Sequence, residues 1–264
     1  MKVAIIGGGV MGEAILHAAL EGGVFTAAEV TVCEVVEHRR HQLGSEYAVA
    51  TTAVAAEAMG GADLVLLSVK PQDIHSVRGS VNDSGLLVSI MAGVRISTIE
   101  AEFHHSRIVR VMPNTPVAAK AGMSVWTATE AVSPEQRALA QRLLAAIGRE
   151  IYVEDEKKLD MATAVSGSGP GYVFLFIEAM IEGAVAIGLT RAQADEMVLQ
   201  TVYGSAVYAQ EAGKSAAELR AMVTSPAGTT AAGLLELEKG AVRAAIIGAI
   251  RAAHRRAQEL GGPA

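Results

Sequence analysis

The amino-acid sequence predicts an α/β fold, in which a mostly parallel β-sheet flanked by helices is followed by an all-helical domain. Short β-rich runs alternate with helical stretches from residue 2 to about residue 153. The strand signals stop after Glu154, and the rest of the chain has helical patterns interrupted by glycine and proline. The length of 264 residues is sufficient for two modest domains with cores of their own.

Seven strands are predicted in the first domain, because short runs rich in valine, isoleucine and leucine favour extended structure. They are predicted at residues 2–6, 30–33, 64–69, 86–90, 107–111, 123–127 and 150–153. Helical spacing is found at residues 11–20, 38–44, 53–59 and 134–147. Ser133 is the expected N-cap of the last of these helices, with Pro134 at its first position. Such alternation predicts a mostly parallel sheet.

The second domain is predicted to contain helices only, and the boundary is placed near Asp155, giving domains 1–155 and 156–264. Breaks are expected at residues 167–171, 188–190, 213–215, 225–228 and 240. The stretches 173–187 and 192–209 are rich in small residues and methionine, and we interpret them mainly as core. Hydrophobic residues make up 51% of the chain, which favours a homo-oligomer, a dimer first. An alanine-rich genome explains this composition nearly as well.

Composition and charge argue against several classes of function. The net charge is −6 and there is no lysine-rich tail, so nucleic acid is not an expected partner. The single cysteine, Cys33, allows neither an intramolecular disulfide nor a thiolate metal cluster, and a cytoplasmic location is expected. The apolar run at the N-terminus stops at a glycine cluster, too early for a signal sequence or a membrane span.

A glycine-rich loop follows the first predicted strand directly. Gly7, Gly9 and Gly12 match GxGxxG between a strand and a helix, which is typical of the Rossmann dinucleotide-binding fold. Gly7 permits the tight turn, Gly9 lets a pyrophosphate approach the backbone, and Gly12 lets the helix pack on the strand. The alternative is an ordinary glycine turn. It is less compatible with the position of this loop at the start of an alternating pattern of strands and helices.

Two features after the second strand point to different cofactors. Glu34 stands where an acid accepts hydrogen bonds from the adenosine ribose, which favours NADH because a carboxylate repels a 2′-phosphate. His38, Arg39 and Arg40 follow within about one helical turn, and an arginine there could bind that phosphate. The arginines could equally form a solvated helix face, so the sequence predicts NADPH or NADH without choosing between them.

Four further motifs accompany the glycine loop: SVKP at 68–71, RVMPNTP at 110–116, VSGSGPGY at 165–172 and VTSPAGTT at 223–230. The first two end predicted strands, at the edge where open parallel sheets bind ligands. Together and in this order, the five motifs resemble the pyrroline-5-carboxylate reductases, and the resemblance extends from Val3 to about Glu259. The chain departs from the usual family pattern at Glu34, Ala216 and Ala227, of which only Glu34 bears on function.

The resemblance implies roles for individual residues and for the assembly. Family members form their active site between the nucleotide domain of one subunit and helices contributed with a dimer partner, and larger assemblies such as decamers occur. The residues expected near the cofactor are Ile6, Gly7, Gly8, Gly9, Val10, Met11, Glu34, Arg39, Ser68, Val69, Lys70, Pro71, Ile90, Met91, Ala92 and Asn114. The expected substrate residues are Ser225, Gly228, Thr229 and Thr230, with the Thr230 hydroxyl reaching the ring nitrogen as the catalytic donor.

The implied reaction is hydride transfer to the imine carbon of 1-pyrroline-5-carboxylate, giving L-proline. Such an imine needs a hydrogen-bond donor near its nitrogen, and the segment 225–230 before a helical run offers free amides for the substrate carboxylate. Thr229 or Thr230 could instead simply cap that helix. No metal site is predicted, and the adjacent pair His104 and His105 is expected at the surface. The cofactor then carries the difficult chemistry.

Rival functions remain open at this stage. A reductase of another cyclic imine is one alternative, and a β-hydroxyacid dehydrogenase is another. The dehydrogenase would be expected to carry a lysine in the helical domain, whereas the segment after Gly169 has Glu178 and Glu182. A non-catalytic nucleotide-binding scaffold is the alternative from a different class, and the intact glycine loop and Thr229-Thr230 argue against it.

Overall fold

The computed structural model describes residues 1–262 and confirms the predicted fold class. One compact unit comprises Met1–Ser168 together with the end of the chain from Ala252, and it contains an eight-stranded sheet. The other comprises Gly169–Arg251 and, among its described residues, has helices only. The domain boundary at residues 155 and 156 remains a prediction.

The sheet is parallel at every pairing except one. Its order is β3-β2-β1-β4-β5-β6-β7-β8, and β7 runs antiparallel to β6. The strands are β1 Val3–Ile6, β2 Val30–Cys33, β3 Ala50–Thr52, β4 Leu64–Leu67, β5 Leu86–Ser89, β6 Ile108–Met112, β7 Gly122–Ala128 and β8 Gly148–Tyr152. Because β1 lies between β2 and β4, the strand order reverses there, and open α/β sheets bind ligands at such a point.

Five α-helices and several shorter turns connect the strands, and a sixth α-helix follows the last strand. The helices are α1 Val10–Glu21, α2 Glu37–Tyr47, α3 Ala55–Met59, α4 Ile96–Phe103, α5 Pro134–Ala146 and α6 Lys158–Ala162. Short 3-10 helices occur at Ala27–Glu29, Pro71–Ser76 and Thr115–Ala119, and a π-helical turn spans Thr163–Gly167. Ser133 caps α5 as predicted: its hydroxyl accepts the Gln136 N–H at 3.2 Å, and the Gln136 side chain accepts the Ser133 N–H.

The strand β3 and the helix α4 were not predicted, for physical reasons. β3 has three residues and lies at the edge of the sheet, so it carries too short a hydrophobic pattern to be recognised. α4 follows Arg95, which offers no side-chain cap. Instead, the N–H of Ile96 donates to Glu156, a carboxylate 60 residues away in the chain, at 2.8 Å.

Both faces of the central strands are buried, which explains why β1 and β4 are apolar without interruption. Alternate residues of β1 belong to different cores: Val3 and Ile5 pack on one face, and Ala4 and Ile6 on the other. Each fully buried aliphatic side chain of this kind contributes about 1.5–3 kcal/mol. This packing holds the strand ends in place. The loops that follow the strands therefore have fixed positions.

The second unit is built from five helices, although the last of them extends into the first unit. They are α7 Gly169–Ala186, α8 Arg191–Glu211, α9 Ala216–Met222, α10 Thr229–Lys239 and α11 Val242–Leu260. Thr190 and Ser215 cap α8 and α9 through reciprocal hydrogen bonds with a residue three positions on. The break predicted at residues 167–171 is only a bend at Ser168, because α7 accommodates Pro170 in its first turn.

The interpretation of α7 and α8 as plain core is wrong for the single chain. Only Ile181, Ala194 and Val198 are buried between them, whereas Phe174 is 60% exposed and Leu175 is 67% exposed. Apolar side chains occupy all sides of α7, so this helix has no single apolar face. The helical run Lys158–Ala186 is also long and apolar enough to cross a membrane by length and composition alone, because it contains an 18-residue window with a mean hydropathy of 1.3. Core helices of soluble proteins meet the same criterion.

Candidate functional site

The glycine loop lies at the point where the strand order reverses. Gly7 has a φ of +105°, which favours glycine, and a Cβ there would lie 2.9 Å from the backbone of Ser68. A Cβ at Gly12 would lie 2.3 Å from the Gly7 carbonyl oxygen, whereas one at Gly9 would meet nothing within 4 Å. The loop therefore needs Gly7 and Gly12 for its own packing, while Gly9 leaves open space for a ligand.

The amino end of α1 offers unpaired amides at this open space. Gly9 is its N-cap and forms no side-chain cap, and the first helical hydrogen bond runs from Glu13 N to Gly9 O at 2.9 Å. Among the described residues, the N–H groups of Val10 and Met11 have no acceptor. Free amides at a helix start bind anions. The residues present thus fit a dinucleotide pyrophosphate.

Glu34 follows β2 and faces the glycine loop. One carboxylate oxygen accepts the Gly8 N–H at 2.9 Å, and the other accepts the Val36 N–H at 2.9 Å. Both oxygens of the carboxylate are therefore oriented by backbone amides. Each oxygen keeps a further lone pair, since an ionised carboxylate has about four acceptor positions.

Arg39 and Arg40 are held by internal partners. Each of the three guanidinium nitrogens of Arg39 donates a hydrogen bond: to the Gly8 carbonyl, to Gln42 and to Glu13. Arg40 donates to the carbonyl oxygens of Glu34 at 2.8 Å and Val35 at 2.9 Å. Arg39 therefore connects α2 to the glycine loop and to α1. Its predicted contact with the cofactor stays a prediction.

The SVKP segment packs directly against the glycine loop. The Ser68 hydroxyl donates to the carbonyl of Gly7 at 2.7 Å, so it holds the turn in place. Val69 is half-buried, and Lys70 and Pro71 are exposed at the start of a 3-10 helix. Just after the next strand, β5, Ile90 and Ala92 are half-buried and Met91 is buried, with its N–H directed to the Ser89 hydroxyl at 3.3 Å.

Asn114 joins two of the predicted motifs. Its Nδ2 donates to the Ser166 carbonyl at 3.0 Å, and its Oδ1 accepts the Met123 N–H at 2.8 Å. Ser166 lies in the π-helical turn, and a Cβ at Gly167 would lie 2.6 Å from the Met112 side chain. π-helical turns are frequent at functional sites. The RVMPNTP and VSGSGPGY motifs therefore meet within the first unit.

A buried ionic network lies beneath these motifs and was missed by the sequence analysis. Arg110 is 3% exposed and contacts Glu156 at 2.6 Å and Asp160 at 3.8 Å. Glu156 also accepts the N–H of Ile96. The network joins β6 to α6 and α4. Two carboxylates spaced four residues apart on a helical stretch were a usable signal, but nothing in the pattern identified Arg110 as their partner.

The VTSPAGTT segment belongs to the second unit and forms the start of α10. Gly228 is the N-cap without a side-chain cap, so neither Thr229 nor Thr230 caps the helix. Both threonines are exposed, and among the described residues their N–H groups have no acceptor. Ala227 has a φ of +59°, a left-handed conformation, at the position where the family commonly has glycine. The segment is therefore another free helix start.

Titratable groups contribute little to this site. Among residues 1–262, no three histidine, cysteine, aspartate or glutamate side chains are arranged to hold a metal ion. His104 is exposed as predicted, but the surface prediction for His105 is wrong: it is 8% exposed, and its Nε2 lies 2.8 Å from the Gly85 carbonyl. Burial, followed by the charge of Glu34, raises the pKa of the Cys33 thiol.

Comparisons with known proteins agree with this arrangement. Residues 156–260 match the family model described as pyrroline-5-carboxylate reductase dimerisation, and residues 2–93 match one described as NADP oxidoreductase coenzyme F420-dependent. A pyrroline-5-carboxylate reductase from Synechocystis is 42% identical over 264 residues, covering 99% of this chain and 98% of that protein. The chain belongs to the pyrroline-5-carboxylate reductase family.

Solved structures of this reductase family have the same fold. The pyrroline-5-carboxylate reductase of Coxiella burnetii is 34% identical and superimposes with a TM-score of 0.88, covering 99% of each chain. The pyrroline carboxylate reductase of Plasmodium falciparum, solved with NADP bound, is 27% identical, with a TM-score of 0.88 over 99% of this chain and 98% of that one. The resemblance found in the sequence is thereby confirmed over the whole chain.

Membership of the reductase family also accounts for the exposed apolar surface of α7. The matched dimerisation model covers the whole of α7 and α8. Side chains such as Val173, Phe174, Leu175 and Phe176 are between 46% and 67% exposed in the isolated chain. Neighbouring apolar side chains that are exposed in this way mark surfaces that bind another protein chain. The predicted homo-oligomer is therefore supported, whereas no larger assembly is defined.

Proposed function

We propose that this chain reduces the imine of 1-pyrroline-5-carboxylate to L-proline with NADPH or NADH. The observation that carries the proposal is the presence of two uncapped helix starts, at α1 and α10, in a chain with whole-length similarity to pyrroline-5-carboxylate reductases. The start of α1 suits the cofactor pyrophosphate, and the start of α10 suits a substrate carboxylate.

The proposed cofactor residues are those following the strand ends of the first unit. The amides of Val10 and Met11 would bind the pyrophosphate, and Glu34 would accept the ribose hydroxyls. The side of the nicotinamide would be lined from Ser68 to Pro71 and from Ile90 to Ala92, with Asn114 nearby. The bound nicotinamide supplies the hydride. The protein's own task is to hold the ring and exclude water from it.

The proposed substrate site is the start of α10. The amides of Gly228, Thr229 and Thr230 would bind the carboxylate, which fixes the face of the ring presented to the hydride. The Thr230 hydroxyl would donate to the ring nitrogen, making the imine a better acceptor. Support for this comes from the free amides of Thr229 and Thr230 and from the absence of a side-chain cap.

The remaining assignments concern the domains, the assembly and the location. We propose a dinucleotide-binding domain at 1–155 and a substrate and dimerisation domain at 156–264, and the dimerisation family model, which begins at residue 156, supports this division. The functional unit is at least a homodimer, with a decamer as the larger assembly known in the family. We assign the protein to the cytoplasm, with neither nucleic acid nor membrane as a partner, so the apolar run of α6 and α7 serves subunit contact.

A turnover assay tests the proposal against its rivals. Purified protein is incubated with racemic 1-pyrroline-5-carboxylate, with its six-membered-ring analogue and with a β-hydroxyacid, each with either nicotinamide cofactor in the appropriate redox state. Proline formation with the five-membered imine supports the proposal. Preference for the six-membered imine or the hydroxyacid supports the corresponding alternative. Binding of the cofactor without turnover of any substrate identifies a non-catalytic scaffold.

A further inference from the structure

Glu34 follows β2, at the position where an acidic residue contacts the adenosine ribose in Rossmann folds. A carboxylate at the end of β2 can recognise the adenosine ribose only if it is fixed in place, and here two backbone amides fix it. Its free lone pairs suit the two hydroxyl groups of an unphosphorylated ribose. A 2′-phosphate at the same position would bring a second negative charge against the carboxylate.

Compensation for that second charge would have to come from a nearby cation. Arg39 is less suited to this, because each of its three guanidinium nitrogens already donates once and its charge is paired with Glu13, which leaves only one N–H on each terminal nitrogen. Its side chain is 19% exposed, so its ion pair with Glu13 is largely covered. Arg39 instead acts on the cofactor site through the Gly8 carbonyl, as a positioning residue.

Arg40 is the second candidate cation. One of its terminal nitrogens is shared between the carbonyl oxygens of Glu34 and Val35, which stabilises the turn between β2 and α2. A phosphate that recruited this nitrogen would remove the support from the residue that holds the ribose, so only the other nitrogens of Arg40 remain for a phosphate. The remaining nearby basic group, His38, is exposed, and it lies next to Glu37, whose carboxylate is 3.8 Å from the His41 imidazole.

We infer that Glu34, oriented by the amides of Gly8 and Val36, makes this reductase prefer NADH to NADPH. The inference rests on the proposed function only for the identity of the ligand as a reduced nicotinamide dinucleotide. It separates this chain from its relative solved with NADP bound, and it assigns the arginines of α2 to the architecture of the loop instead of to the 2′-phosphate.

Binding measurements without substrate test the inference. Dissociation constants for NADH and NADPH, and for AMP and adenosine 2′,5′-bisphosphate as probes of the adenosine half, are measured by calorimetry. We expect the unmodified protein to bind NADH at least about 10-fold more tightly than NADPH. In Glu34→Gln, which keeps the shape and one acceptor oxygen, the ratio should fall by about 10-fold to 100-fold, mostly through tighter NADPH binding. The exposed neighbour Glu37→Gln is the matched control and should leave the ratio unchanged.

Three outcomes would overturn the inference. Equal or tighter binding of NADPH by the unmodified protein is the first. The second is a Glu34→Gln variant that loses affinity for both cofactors equally, which would reduce Glu34 to a support for the Gly8 amide. The third is a selective loss of NADPH affinity in Arg40→Gln, which would make Arg40 the phosphate ligand. Because no imine is present, these results are independent of whether the chain forms proline, and the turnover assay decides that separately.

Discussion

The side-chain amide of Asn114 donates a hydrogen bond to the main-chain carbonyl of Ser166, across 52 residues of sequence, at 3.0 Å. The other end of the same amide accepts the Met123 N–H at 2.8 Å. One side chain thus joins the end of β6, the start of β7 and the π-helical turn. It sets the backbone position of the SGSGP segment relative to the sheet edge.

Replacing Asn114 by alanine should therefore weaken the site through its architecture. Two backbone groups lose their partners, so we expect unfolding free energy to fall by about 1–3 kcal/mol, and kcat to fall with it. Asn114→Asp is the matched variant, because it keeps the acceptor for Met123 while placing a charge against the Ser166 carbonyl. Urea unfolding and steady-state kinetics measure both effects. Unchanged stability and kcat in the alanine variant would contradict the bridging role.

Removing the Thr230 hydroxyl should slow the chemical step. In Thr230→Ala we expect kcat to fall by about 10-fold to 1000-fold, the usual range for one hydrogen-bond donor at a reacting centre. Cofactor affinity, measured by calorimetry, should not change. Thr230→Ser keeps the hydroxyl and should retain most of the turnover. If the alanine variant turns over at the original rate, Thr230 has no part in the mechanism.

Ala227 adopts a left-handed conformation that disfavours a side chain, with a φ of +59°. Glycine at this position should raise the free energy of unfolding by about 0.5–1 kcal/mol, after allowance for the greater entropy of glycine in the unfolded chain. Ala221→Gly, within α9, is the control and should lower it by about 1 kcal/mol. Chemical unfolding of the two variants should give shifts of opposite sign; shifts of the same sign would rule out strain at Ala227.

The buried network of Arg110, Glu156 and Asp160 should be sensitive to the loss of its cation. Arg110→Met leaves the buried Asp160 and the partly exposed Glu156 without their cation, and we expect a loss of about 3–5 kcal/mol in unfolding free energy. Combining it with Glu156→Gln and Asp160→Asn should recover part of that loss, since the neutral amides need no counter-charge. The denaturant concentration at the unfolding midpoint, measured for the single and the triple variant, reports the loss and the recovery. A single variant as stable as the original protein would show that the ion pairs contribute nothing.

Several features of the site could be recognised from the sequence because they depend on neighbours in the chain. The glycine loop follows its strand directly, and the roles predicted for Gly7 and Gly12 agree with their positions. The start of α10 at Gly228 depends on the backbone conformations open to glycine and on the residues just beyond it. Predictions of this kind hold because the sequence pattern on which each depends spans only a few residues.

Other features depend on partners that the chain brings together only on folding. Arg39 has the pattern of a phosphate ligand, yet Gly8 and Glu13 occupy its guanidinium from another element. His105 was expected at the surface, but it is buried and its imidazole contacts the carbonyl oxygen of Gly85. In each case a distant group competes for the same hydrogen bond, and no local rule describes that competition.

The sequence by itself therefore determined the alternating and helical halves, the glycine turn, the Ser133 helix cap and the family to which the chain belongs, since all of these follow from local patterns and ordered motifs. Tertiary structure alone decided the antiparallel placement of β7, the attachment of the SGSGP turn to Asn114 and the internal pairing of Arg39. The physical reason is that hydrogen bonds and ion pairs between distant residues are selected by packing, which only the folded chain defines.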